Sequence, residues 1–111
     1  MTPPAKTREV FDYLKRCADD MRTVTYGEVA EQTALAAPGL TKQLAYIRDE
    51  ICRERGLPWL SAIVVNTSTR RPGSAFLPEG VSFGDEGDRL WRGMVIHVFA
   101  FDWCAISFDG A

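Results

Sequence analysis

Three helical repeats crowd into the first 55 residues, with only short breaks between them. In Glu9–Met21, Val10, Tyr13, Leu14 and Cys17 recur at helical spacing. Phe11 flanks that stripe, Lys15, Arg16, Asp19 and Asp20 fall elsewhere, and Thr7 is placed to cap it. Thr23-Val24-Thr25 is a brief β-branched run. Thr25 and Glu28 then have the spacing of a capping box, so a second helix is expected over Tyr26–Thr33, carrying Val29 and Ala30 inward. Ala36-Ala37-Pro38-Gly39 ends it. A third helix follows from a Thr41 cap to Arg55, with Leu44, Ile47, Ile51 and Cys52 as its apolar stripe and Gly56 past its end. Lys42, Gln43, Tyr46, Arg48, Asp49, Arg53 and Glu54 are expected to face outward.

Beyond Gly56 the pattern changes. Trp59–Asn66 reads as a strand, bounded by Pro58 and by polar residues. Thr67–Ser74 reads as an exposed loop, and a second strand near Ala75–Leu77 would complete a hairpin. Pro78–Gly84 is irregular. Asp85–Phe101 reads as a last helix whose first-turn acids suit the helix dipole, although Gly93 weakens it by about 1 kcal/mol relative to Ala. Cys104-Ala105-Ile106 has the composition of one more short strand. The expected fold class is α+β: three N-terminal helices, a β-hairpin wing and a C-terminal helix, in the order of a winged helix-turn-helix. With 111 residues the chain reads as a single domain, 1–111, with a winged-helix-like part over 8–77 and a helix and tail over 85–111.

Composition narrows the chemistry. Met94–Phe101 is far short of the roughly 20 apolar residues that span a bilayer. The N-terminus lacks the apolar run of a secretory signal, so a soluble, cytoplasmic protein without membrane contact is expected. Cys17, Cys52 and Cys104 are odd in number and widely spaced, which suits small buried hydrophobes better than metal ligands or disulfides. His97 is the single histidine, flanked by Ile96 and Val98, and a hydrogen-bonded structural role is expected. Asp85, Glu86 and Asp88 lack the alternation of a calcium loop, and no phosphate-cradling glycine loop is present, so neither cofactor nor metal is expected. Net charge is −2 but uneven, with 11 Lys/Arg against 9 Asp/Glu up to residue 75 and 2 against 6 beyond it. A dedicated nucleic-acid binder usually has a stronger basic excess.

Thr23-Val24-Thr25-Tyr26-Gly27-Glu28-Val29-Ala30 resembles the V-T-T-Y-G-x-(I/L/V)-A segment of alkylguanine-DNA alkyltransferases and alkyltransferase-like proteins. Leu57-Pro58-Trp59, followed by a strand and a turn, is similar to the family's P-C-H-R or P-W-H-R segment, with Trp59 at the position of the reactive Cys. The resemblance covers about residues 8–75 and implies a winged-helix DNA-binding domain. Leu60 and Ser61 replace the family's following His and Arg, and no Cys stands at the nucleophile position. An alkyl acceptor needs an activated thiolate, so alkyl transfer is not expected.

Two functions remain open on the sequence. The first is a non-enzymatic nucleic-acid-binding protein whose duplex DNA partner meets Tyr26, Lys42, Gln43, Tyr46, Trp59, Arg70 and Arg71. Lys42 and Gln43 lie in the first turn of the third helix, where base contacts usually start. Arg70 and Arg71 at a loop tip suit phosphates. Each residue also has an ordinary structural role open to it: a solvated helix face, a packed turn, a core aromatic. The second function is a small acidic protein-binding module, such as an immunity protein, an antitoxin or an inhibitor, engaging a basic protein partner. A continuous positive face around Lys42, Arg70 and Arg71 favours the first; interleaved acids favour the second.

Overall fold

Lys6 opens the first helix, α1 (Thr7–Asp19), from a left-handed conformation at φ 63°, with no side-chain cap. Thr7, expected as the cap, instead lies inside the first turn and donates its hydroxyl to the Pro4 carbonyl at 2.6 Å. The structure, a computed structural model, describes residues 3–35, 40–72 and 84–108. The expected stripe of α1 is buried throughout: Val10, Phe11, Tyr13, Leu14 and Cys17, joined by Ala18. The helix stops as Met21 turns left-handed and Arg22 N–H reaches back to the Cys17 carbonyl at 3.1 Å.

Strand β1 (Val24–Thr25) leads directly into α2 (Tyr26–Thr33). The capping box forms as the spacing predicts. Thr25 Oγ1 accepts from Glu28 N–H at 3.1 Å, and Glu28 Oε1 accepts from Thr25 N–H at 3.3 Å. At the other end Ala34 is left-handed at φ 57°, an unfavourable conformation for a residue with a Cβ. Lys6 offsets this by donating Nζ to the Thr33 and Ala34 carbonyls, at 3.0 and 3.2 Å.

The third repeat forms one rod in three pieces: α3 (Leu40–Tyr46), a π-helical stretch (Ile47–Cys52) and α4 (Arg53–Arg55). Thr41 is inside this rod and not at its cap. Gly56 closes it at φ +66°, where the left-handed region is needed. The rod buries Leu40, Gln43, Ile47, Ile51 and Cys52 and leaves Thr41, Lys42, Glu50, Arg53 and Glu54 exposed.

The expected strand Trp59–Asn66 is mostly not extended. Leu60–Ile63 forms a buried 3-10 turn, and only Val64–Val65 (β2) is strand. β2 pairs in parallel with β1, Val24 against Val64 and Thr25 against Val65. Among the described residues this two-stranded parallel sheet replaces the expected β-hairpin wing. The reason is physical: two buried β-branched runs satisfy each other's backbone groups in the interior, where a wing strand would face solvent. The chain does turn after β2, with Asn66 N–H donating to the Arg71 carbonyl at 2.8 Å. The expected second wing strand, Ala75–Leu77, lies outside the described residues.

The last helix, α5 (Asp85–Ala100), matches the expected span to one residue. It docks through Trp91, whose indole N–H donates to the Ala62 carbonyl at 2.8 Å, and through buried Val98. Trp103 is fully buried, donates to the Val98 carbonyl at 2.8 Å, and begins a 3-10 turn where a strand is expected. The tail then runs back over α1 and the rod. Phe108 lies edge-on to Phe11 at 5.8 Å and stacks on Tyr46 at 6.5 Å, while Arg55 donates to the Ser107 and Phe108 carbonyls at 2.7 Å each. Among the described residues the result is a mostly helical globule with four helical rods and a small parallel sheet.

Two substitutions probe these end contacts. Thr25→Ala removes a reciprocal cap and is expected to cost about 1 kcal/mol in urea unfolding. Ala34→Gly relieves a left-handed Cβ and is expected to raise stability by up to about 1 kcal/mol in the same measurement.

Candidate nucleic-acid interface

The residues expected to touch nucleic acid separate into two groups. Lys42 and Arg70 are exposed and hold no ion pair among the described residues, and Trp59 is half-buried. The other four are engaged within the fold. Gln43 is buried and donates its Nε2 to the Ala5 carbonyl at 2.9 Å, pinning the N-terminal segment to the rod. Tyr46 is covered by Phe108. Tyr26, the first residue of α2, packs against the core beside the β1–β2 junction. Arg71 binds Asp88 on α5, Nη2 to Oδ2 at 2.6 Å, with the carboxylate 12% exposed.

Around Trp59 the structure builds a cluster that residue types alone do not specify. The guanidinium carbons of Arg48 and Arg53 lie over the indole at 5.9 and 5.7 Å from its centroid, within cation–π range. Asp49 joins them. Arg48 grips it through two bonds at 2.8 and 3.0 Å, and Arg53 approaches it at 4.0 Å. Arg48 beside Asp49 holds that carboxyl below its ordinary range, an effect that burial opposes. Trp59 also borders an open cleft lined by Leu57, Met94, His97 and Phe101. His97, expected to be a hydrogen-bonded structural residue, is exposed near the end of α5. The cluster is therefore a half-buried aromatic ring with two cations over it, one anion beside them and a neighbouring cleft.

Basic side chains elsewhere are mostly held by the fold's own acceptors. Arg22 pairs with Glu28 at 3.4 Å, Lys15 donates to the Ile106 carbonyl, and Arg55 holds the tail. Acids are thus interleaved with bases, and among the described residues the exposed cations include Lys42, Arg70 and Arg53 beside Trp59, with Arg8 and Arg16 on α1 and Arg89 and Arg92 on α5.

The thiols are poorly placed for nucleophilic chemistry. Cys17 and Cys52 are buried, as expected, and burial pushes both up, Cys52 to about 11. Cys104, also expected to be buried, is exposed instead; its thiol lies 3.6 Å from the Asp19 carboxylate, and this hydrogen bond raises it as well. Among the described residues no group of three or more His, Cys, Asp or Glu side chains is arranged to hold a metal ion. No helix among them is long and apolar enough to cross a membrane.

The buried thiols give a pH test. In the unfolded chain a cysteine ionises near pH 8.5, and in the fold Cys17 and Cys52 do so higher. Folded values above unfolded ones confer stability that is complete below the unfolded pKa and is lost as pH rises toward the folded one. Stability should therefore fall by on the order of 2 kcal/mol between about pH 8 and 11, and Cys52→Ala should flatten that decline in urea titrations. The Arg71–Asp88 pair gives a second test. Arg71→Ala leaves a buried carboxylate without its cation and is expected to cost about 1–3 kcal/mol in urea unfolding, whereas a purely solvated loop arginine would cost almost nothing. In comparisons with family models, curated proteins and solved structures, nothing matches this chain.

Proposed function

We propose that this chain is a non-enzymatic nucleic-acid-binding domain, alkyltransferase-like in outline and lacking the reactive cysteine. The observation that carries the reading is the meeting of two distant segments. The Thr23–Ala30 segment and the Leu57–Val65 segment, which bear the resemblance, lie side by side through the β1–β2 pairing. Within the second segment, Trp59 lies against Arg48 and Arg53 of the rod. Arg48 and Arg53 bring charge over the Trp59 ring, and Lys42 and Arg70 offer phosphate contacts. Gln43, Tyr46 and Arg71 are left out of this interface because the fold already uses them. Raised thiols, with no depressed cysteine among the three, support a binder over an alkyl acceptor.

The interleaved acids favour a second reading, a small module that binds a basic protein. Asp49 and Asp88 neutralise arginines that a duplex would otherwise attract.

Fluorescence anisotropy on duplex and single-stranded DNA between about 50 and 200 mM salt separates the two. The nucleic-acid reading expects affinity that falls steeply with salt, and a slope reduced by about 2 when Lys42→Ala and Arg70→Ala are combined. Trp59→Ala should weaken binding by about 1–3 kcal/mol. Affinity indifferent to salt and to all three substitutions overturns that reading. Recovery of a basic protein at low salt, with no nucleic acid bound, supports the second.

A further inference from the structure

Residues 106–108 belong to neither helix nor strand, yet three successive carbonyls there are each taken by a cation. Lys15 Nζ donates to the Ile106 carbonyl, and the two terminal nitrogens of Arg55 donate to the Ser107 and Phe108 carbonyls at 2.7 Å each. The side chains of Ile106 and Phe108 are half-buried against the core. The Phe108 ring meets Phe11 edge-on at 5.8 Å and stacks on Tyr46 at 6.5 Å, and the Arg8 guanidinium carbon lies 5.0 Å from its centroid.

A separate chain can make every one of these contacts. Bonds to backbone carbonyls hold any extended segment, and pockets for alternate side chains select among them; peptide-binding surfaces divide affinity from specificity in this way. Selection here falls on the ring, which stacks on Tyr46 and takes the Arg8 charge over its face. Charge adds a second criterion. Lys15 and Arg55 spend theirs on neutral carbonyls, although a bond to an ionised acceptor is roughly twice as strong. Asp12, which helical spacing sets between Arg8 and Lys15, offsets only part of the positive charge that Arg8, Lys15 and Arg55 bring together. An acidic residue beside the ring therefore suits this surface.

We infer that α1 and the rod form a docking surface for an extended segment of a partner protein, one bearing an aromatic residue with an acidic residue beside it, and that residues 106–108 occupy this surface in cis until such a segment displaces them. The inference stands apart from the nucleic-acid reading, since Arg8, Phe11, Lys15, Tyr46 and Arg55 are not among the residues proposed to meet DNA.

The probe is a fluorescein-labelled peptide with the sequence of residues 105–111, in which Asp109 follows Phe108, read by anisotropy against the full chain. In the Phe108→Ala chain the cis segment loses its ring. The peptide should then bind about tenfold more tightly than to wild type, whose own segment competes at an effective concentration in the millimolar range. Arg55→Ala added to that chain should abolish the gain. Phe108→Ala made in the peptide should abolish binding, and Asp109→Asn in the peptide should weaken it, most of all at low salt. Circular dichroism verifies that each variant stays folded. Where Phe108→Ala unfolds the chain, an NMR titration of the wild type with the same peptide at millimolar concentration decides: Tyr46 ring and Arg55 side-chain resonances should move while those of Trp59 stay. A peptide that binds Phe108→Ala no better than wild type overturns the proposal. So does binding indifferent to Arg55→Ala or to loss of the peptide's ring, or a wild-type titration that leaves Tyr46 and Arg55 unmoved. Single-stranded DNA that displaces the peptide at a lower concentration than unlabelled peptide does assigns the surface to nucleic acid and overturns it too.

Discussion

Two residues of β1 and two of β2 hold this architecture together. Val24, Val64 and Val65 are buried to within 1% exposure, so their backbone groups have no access to water and must pair with one another. Parallel strands need a long crossover, and here that crossover is α2, the α3–α4 rod and the 3-10 turn. Most of the surface proposed to meet nucleic acid, Lys42 and the Trp59 cluster, therefore lies on the loop that this pairing closes. The capping box at Thr25 sits at the same junction, so one residue both ends the strand and starts the helix.

The helices are legible in the sequence because amphipathic spacing survives tertiary context. α2 has the expected bounds, and α5 differs at one end by a single residue. Gln43 misleads for an instructive reason. Its position, three after Leu40 and four before Ile47, places it on the buried stripe, but its chemistry suggests the surface. Periodicity is the better guide, and the Ala5 carbonyl accepts from the buried Nε2, while Oε1 is buried without a partner among the described residues. The strand is shorter than its composition suggests because Ile63, Val64 and Val65 are all β-formers, while nothing in composition signals that Leu60–Ile63 coils first. Of the candidate site, Trp59, Lys42 and Arg70 keep the exposure a binding role needs. Arg71 keeps some exposure but its charge is taken by Asp88, which is far along the chain, and no local pattern announces an ion pair of that separation. The same applies to Phe108 over Tyr46.

Charge counting misleads in a chain that uses cations as internal fasteners. Lys6, Lys15 and Arg55 each hold backbone carbonyls, and Arg22, Arg48 and Arg71 each hold a carboxylate. A net charge of −2 thus says little about what the surface offers a polyanion, since many of the 13 basic residues are already committed to the fold. What matters is local: Arg48 is tied to Asp49 by two bonds, whereas Arg53 approaches the same carboxylate only at 4.0 Å and keeps more of its charge over the Trp59 ring.

The returning tail sets an order on folding. Lys15 meets the Ile106 carbonyl across 91 positions, and closing a loop of that length costs about 4 kcal/mol in chain entropy when no intervening structure has formed. Once the helices and the β1–β2 pair have shortened the path, the same closure is far cheaper. Phe108 and its arginine clasp are therefore contacts of the last stage: they lock a nearly finished globule, slow its unravelling, and contribute little to the speed at which it assembles.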